Sequence, residues 1–229
     1  MIAPLVLLFL LGALQGLIGW VMVESGLVPE KFYVGHIELT THLMAALILL
    51  AYTLWFALQL YYEGYAKIHN SKLKSLLLFI ITLFFFQLIF GGFMAGLKAA
   101  QTAPTWPDIN GFLVPPGMND GSALFENLVN NKILIHFMHR GIAYILFALI
   151  TWFFIASKEY SSNTLFKRSR LSLFLLTLVQ IILGILTVTN ATSPTALLWF
   201  GVLHQFTAML IVINFVYLLY LLRRTRNST

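Results

Sequence analysis

The chain has 229 residues, of which 59% are hydrophobic and 10% charged, with 20 Phe and no Cys. Ordinary soluble domains carry about 25% charged residues, so this composition excludes a soluble enzyme. Without cysteine there is no disulfide framework, thiolate ligand or thiol redox chemistry within the chain, and any metal has to rely on histidine or carboxylate.

The charge deficit is concentrated in six apolar stretches, near residues 2–23, 39–62, 75–97, 133–156, 171–193 and 195–222. Each reaches the ~20 residues that a helix needs to cross a bilayer. Lipid offers no partner for backbone N–H and C=O, and the alternating segments of a membrane barrel are missing, so the spans are helices. The expected fold is an all-α polytopic membrane bundle of six transmembrane helices, with lipid as its first partner. The first stretch has no Lys or Arg ahead of it and no small-residue cleavage site before Glu24, so it reads as a mature helix with an unusual lack of positive flank.

The net charge of +6 is distributed by topology. Lys67, Lys72, Lys74, Lys158, Lys167, Arg168, Arg170, Arg223, Arg224 and Arg226 lie in the second-to-third connection, in the fourth-to-fifth connection from Ser157 to Arg170, or in the C-terminal tail. The other side carries Lys31, Lys98 and Lys132, and Arg140 falls inside a span. This is the positive-inside asymmetry, which places both termini in the cytoplasm and makes nucleic acid an unsuitable partner. The long connection, residues 98–132, faces outward. Its Pro104, Pro107, Pro115, Pro116, Gly111, Gly117 and Gly121, with Trp106 and Phe112 between them, predict turns and not a helix. It reads as a lid, with Trp106 and the Pro115-Pro116 segment packed over whatever site lies beneath.

An internal repeat runs through the spans. The odd helices carry Gln15-x3-Gly19, Gln87-x3-Gly91 and Gln180-x3-Gly184, and the even helices carry His42-x3-Ala46, His139-x3-Ala143 and His204-x3-Ala208. The chain is therefore three copies of a helical hairpin with a histidine on each second helix. The three histidines are expected one to two turns inside the outer end of their spans. The alanine four residues on occupies the same face one turn deeper and leaves room for a flat ligand beside the imidazole. Polar side chains inside membranes are expensive and usually functional, and neutral imidazole is a common metal and haem ligand. Three at matched depth point to haem.

Other candidates have plainer readings. His36 and His69 fall in loops as solvated spacers, and His136 reads as an interfacial hydrogen-bond donor. The Gln-x3-Gly pairs read as helix packing, where small residues allow close approach and glutamine bonds across an interface. Arg140 has two readings, a snorkelling side chain or a partner for a carboxylate of a bound ligand. Phe84, Phe85 and Phe86 read as lipid-facing.

His139-Arg140-Gly-Ile-Ala143-Tyr144, His204-Gln205-x2-Ala208, Thr41-His42-Leu43, Val23-Glu24-Ser25-Gly26-Leu27 and Gly91-Gly92-Phe-Met-Ala95-Gly96-Leu97, leading to Trp106-Pro107 and Pro115-Pro116-Gly117, together resemble the haem A synthase family. The likeness covers almost the whole chain. It implies a bacterial inner (plasma) membrane enzyme built as two four-helix halves related by a pseudo-twofold axis. The C-terminal half, residues 66–229 with the outer loop, would bind haem b through His139 and His204, expected on adjacent helices and facing each other. The N-terminal half, residues 1–65, would bind the substrate haem O at His42. The implied reaction oxidises the C8 methyl of haem O to a formyl group, with haem O arriving from its own synthase and electrons from an unidentified donor.

An eight-helix member of that family has a further hairpin bearing a histidine and a catalytic glutamate, and no counterpart of it is seen in this sequence. The repeat points the same way, since His139 and His204 can pair and His42 is left without a mate. The expectation is a truncated form, or one completed by another chain or in a homo-oligomer. Glu38, one turn before His42, is a weak candidate for the catalytic acid, against a plainer reading as a polar residue at the helix mouth. The competing function is a one-haem b-type membrane cytochrome, which would need His139 and His204 alone.

Overall fold

The computed structural model describes residues 2–61 and 68–223. Lys67, Arg224 and Arg226, counted above on the basic side, lie outside the described residues. The elements are α1 (Ile2–Glu24), α2 (His36–Tyr61), α3 (Ser71–Gly96), α4 (Leu124–Asn130), α5 (Lys132–Ala156), α6 (Thr164–Thr189) and α7 (Pro194–Leu221). Short 3-10 turns span Ala99–Gln101 and Lys158–Ser162. Among the described residues, all six long helices are long and apolar enough to cross a membrane, and the chain is a multi-pass membrane protein.

Helix starts follow local chemistry. Asn70, Asn131 and Asn163 cap α3, α5 and α6, each side chain accepting from a first-turn backbone N–H that would otherwise be orphaned. Pro194 opens α7, where its missing N–H costs nothing.

Two expectations are corrected here. The fifth span starts at Thr164 and not near residue 171, so Lys167, Arg168 and Arg170 lie in the helix and not in a connection reaching Arg170. The Asn163 cap lies ahead of the apolar run, Phe166 is fully buried, and Arg170 folds back to donate to the Phe154 carbonyl at 2.6 Å with its guanidinium over that ring. These contacts anchor the Arg170 guanidinium through one terminal nitrogen and its face, and the helix extends beyond its apolar stretch. The outer connection also contains a helix, α4. Asn127 in α4 donates to the Met118 carbonyl at 2.7 Å, and Asn131 donates to the Gly117 carbonyl at 2.8 Å and to Asn127 Oδ1 at 2.9 Å. These buried amides hold a turn of helix that the Pro and Gly content concealed.

The C-terminal helices form a ring in which α3 packs on α5, α5 on α6, α6 on α7 and α7 on α3. Helix α2 joins this ring through α3 and α7, with Trp55 edge-on to Tyr220 at 5.7 Å. Helix α1 packs against α2 and has no buried residue, which leaves an apolar cylinder suited to lipid. Most of the core fills the half of the ring away from the 98–132 connection: Leu77, Ile80 and Phe84 of α3, Ile142, Leu146 and Ile150 of α5, Leu173 of α6, and Ile211, Phe215 and Leu218 of α7. A second, small cluster of Ala100, Val188 and Ala191 closes the end beside the 98–132 connection. Phe84 belongs to the core, edge-on to Phe215 at 5.3 Å, whereas Phe85 and Phe86 are exposed as expected.

Candidate functional site

The level between the two clusters is where the repeated histidines lie. His42, His139 and His204 stand six, seven and ten residues in from the starts of α2, α5 and α7. His204 is thus almost three turns deep, because α7 begins with an extra turn at Pro194. All three are half-buried, as are Ala46 and Ala143 one turn further in, while Ala208 is buried.

Each histidine is held by the Gln-x3-Gly step of the preceding long helix. Gln87 Nε2 donates to His139 Nε2 at 3.2 Å, and Gln180 Nε2 donates to His204 Nε2 at 3.1 Å. Gln15 Nε2 lies 3.2 Å from His42 Nδ1 and 3.4 Å from its Nε2, and also donates to the His42 carbonyl at 3.2 Å. One turn along, the glycine makes room for the ring. A Cβ placed on Gly19, Gly91 or Gly184 would lie 2.9, 3.2 or 3.0 Å from Cε1 of His42, His139 or His204. The Gln-x3-Gly motif therefore does pack helices, as its composition suggests, and the object packed is the histidine.

Each held by a glutamine of the helix packed beside its own, α3 and α6 respectively, His139 and His204 are carried by α5 and α7. The two helices are not neighbours, contrary to expectation. They stand across the ring from each other, separated by α3 on one side and α6 on the other. His42 belongs to the outer hairpin α1–α2, and the structure does not bring it to the other two.

Arg140 serves the outer loop. Its Nε donates to His136 Nε2 at 3.0 Å, and its terminal nitrogens donate to the carbonyls of Asp108 at 2.7 Å, Thr105 at 2.6 Å and Pro107 at 3.5 Å. His136 is fully buried and accepts from Arg140, so it is not an interfacial donor. Its spacing to Arg140, one helical turn, was the available signal. The loop that Arg140 holds is a turn in which Ile109 and Phe112 exchange backbone hydrogen bonds, with Gly111 at φ +87. The Asp108 carboxylate accepts from Gly111 N at 2.8 Å, and this bond holds the carboxyl below its ordinary value of 3.8. Ile109 and Ala103 are the buried residues of this segment, and Trp106 is 45% exposed. Pro115 is buried but Pro116 is not. Trp106 and Pro116 are thus not the packed residues of the lid, because the turn directs Ile109 inward.

His36 corrects another expectation. It is the first residue of α2, half-buried, edge-on to Phe93 at 5.7 Å, and its Nε2 donates to the Val129 carbonyl of α4 at 2.9 Å. It ties the loop to the N-terminal hairpin, whereas His69 is exposed as expected. Glu38 sits in the first turn of α2 and folds back on Gly35, so that a Cβ there would collide with its carboxylate. A carboxylate in this position complements the helix dipole.

Residues 1–216 match the family described as Cytochrome oxidase assembly protein (COX15-CtaA). The chain is 34% identical over 215 residues to the heme A synthase of Pelagibacter ubique, covering 93% of this chain and 60% of that protein. It is 33% identical over 221 residues to the heme A synthase of Flavobacterium johnsoniae, covering 96% and 63%. It is 37% identical over 211 residues to that of a Methylobacterium species, covering 91% and 57%. The chain thus spans about three fifths of the length of these curated relatives. With the match running through all six membrane helices and all three histidine cradles, the chain belongs to the COX15-CtaA family of cytochrome oxidase assembly proteins.

Proposed function

We propose that this chain binds haem b through His139 and His204 and acts in the conversion of haem O to haem A, the product named in its relatives. The observation that supports the reading is the repeated cradle that seats an imidazole on each of two helices of the C-terminal ring, with Gln87 and Gly91 against His139 and Gln180 and Gly184 against His204.

The donor set fits an iron porphyrin. His204 Nδ1 donates to the Gln180 carbonyl at 3.1 Å, so the lone pair of the neutral ring is on Nε2, the arrangement usual in metal-bound imidazole. Bound haem b would supply one-electron redox chemistry. The chain's residues do the rest. His139 and His204 would hold the iron, and the small side chains of Ala143 and Ala208, one turn deeper, would leave room for the ring. The strap from Arg140 to the loop keeps water from the outer end. Arg140 is also assigned to a haem carboxylate, through the N–H that its loop carbonyls leave free.

On the N-terminal side, His42 is assigned to the iron of the substrate haem O, whose C8 methyl becomes the formyl group, and Glu38 to the acid-base role nearby. Among the described residues His42 faces no second imidazole, so a further histidine-bearing hairpin, from a completing chain or a second copy, is assigned as its mate. The proposed setting is the bacterial inner membrane with the basic connections in the cytoplasm. Haem O is delivered by its synthase, and a separate donor supplies electrons.

The test is expression in a host that makes haem O and lacks its own synthase, followed by an optical spectrum of the purified protein and chromatography of the extracted haem. Haem b in the wild type, lost in His139→Ala and in His204→Ala, is expected, and haem O or haem A beside it supports the substrate side. A protein without haem, or one whose haem survives both substitutions, would overturn the reading.

A further inference from the structure

We propose that Gln87 and Gln180 are ligand-exchange residues, each of whose amides occupies the Nε2 lone pair that an iron would take and yields it on ligation. The proposal rests on the haem reading above and goes beyond it, because it concerns how the ligands are kept ready for the metal.

The orientation of the amide is set by chemistry at one of the two sites. Gln180's backbone carbonyl can only accept, so His204 Nδ1 carries the proton and Nε2 carries the lone pair. The side-chain group 3.1 Å from that lone pair must therefore be the NH2 of Gln180, donating. Gln87 repeats the contact on His139 Nε2 at 3.2 Å. A neutral imidazole nitrogen has one lone pair in the ring plane, so it cannot accept from an amide and coordinate iron at once. Ligation has to break this hydrogen bond at both histidines.

The other end of each glutamine shows why it can leave. Oε1 of Gln87 and Oε1 of Gln180 are buried without a partner among the described residues, and Oε1 of Gln15 in the N-terminal copy of the same step is too. A glutamine serving only to glue helices would be expected to satisfy both ends of its amide, since a buried unpaired carbonyl is costly. Here one end is satisfied, by the histidine, in all three hairpins. The glycine one turn along gives the ring freedom on its Cε1 side, so the imidazole is not wedged by a Cβ when the amide withdraws.

The consequence is a change in haem affinity whose sign a packing role would not produce. Gln180→Met keeps the length of the side chain and removes the amide, so no hydrogen bond has to be broken on ligation, and haemin should bind about fivefold more tightly, about 1 kcal/mol. Gln180→Glu places acceptor oxygens against Nε2, draws the proton to that nitrogen and weakens haemin binding. The same pair of changes at Gln87 should act alike.

The experiment is a titration of the detergent-solubilised, haem-depleted full chain with haemin, read by Soret absorbance, with helical content checked by circular dichroism. Opposite shifts for Met and Glu in folded protein support the exchange role. Weaker binding in both variants, or no change in either, overturns it and leaves the haem reading intact provided that the wild-type spectrum depends on His139 and His204. A wild type that binds no haemin overturns both.

Discussion

The Nε of Arg140 donates to the fully buried His136 at 3.0 Å while the terminal nitrogens of the same guanidinium reach the carbonyls of Thr105 and Asp108. One side chain thereby fastens the outer loop to the transmembrane helix that carries His139. The planar fork matters here, because three acceptors in different directions need donors in a fixed geometry.

Arg140→Ala should release the loop. Each hydrogen bond to a charged donor contributes about 1.5–3 kcal/mol, so limited proteolysis within residues 102–112 should speed up tenfold or more. Arg140→Lys, a point charge without the fork, should give an intermediate rate. Equal cleavage of all three proteins would show that the loop is held by Ile109 alone.

The loop should also loosen in acid. The hydrogen bond from Gly111 N holds the Asp108 carboxyl below 3.8 in the folded loop. A depressed folded value means that the carboxylate stabilises the loop above the unfolded value, and that this contribution is lost as pH falls through the folded one. Protease protection of the loop should therefore be flat from neutral pH down to about 4 and fall below it. Asp108→Asn should abolish that acid step. A protection profile identical in the variant would remove Asp108 from the account.

Glycine substitutions should separate the cradle from ordinary helix effects. A Cβ on Gly184 would lie 3.0 Å from His204 Cε1, whereas one on Gly201, in the helix that carries His204, meets nothing within 4 Å. Gly184→Ala should push the ring and cost about 1–3 kcal/mol, seen as weakened haem binding. Gly201→Ala should leave binding unchanged and gain slightly in helix propensity. Haem affinity that falls equally in both would mean that the cradle is not what positions His204.

His42 should behave unlike the other two histidines. His42→Ala should leave the haem b spectrum intact, because its ring is held by Gln15 in the outer hairpin and not in the C-terminal ring. Haem O retention, measured by chromatography of the extracted haem, should fall in the same variant. A loss of haem b in His42→Ala would place the three histidines at one site.

The sequence alone determined the number of spans, their positions to within a few residues at most ends, and the three hairpins with their Gln-Gly and His-Ala signatures. Bilayer thickness and helical periodicity act on consecutive residues, so these features are written locally. It also pointed to the three histidines, because a polar group in an apolar span stands out against its neighbours. It could not show that α5 and α7 stand across a ring, that Arg140 reaches back more than thirty residues to the loop, that His36 ties α2 to α4, or that Ile109 and not Trp106 turns inward. Those outcomes depend on which helices pack together and on how backbone carbonyls far apart in the chain converge. Even the role of Gln87 and Gln180 was hidden, since a glutamine four residues before a glycine reads as packing until the facing helix brings an imidazole nitrogen within 3.2 Å.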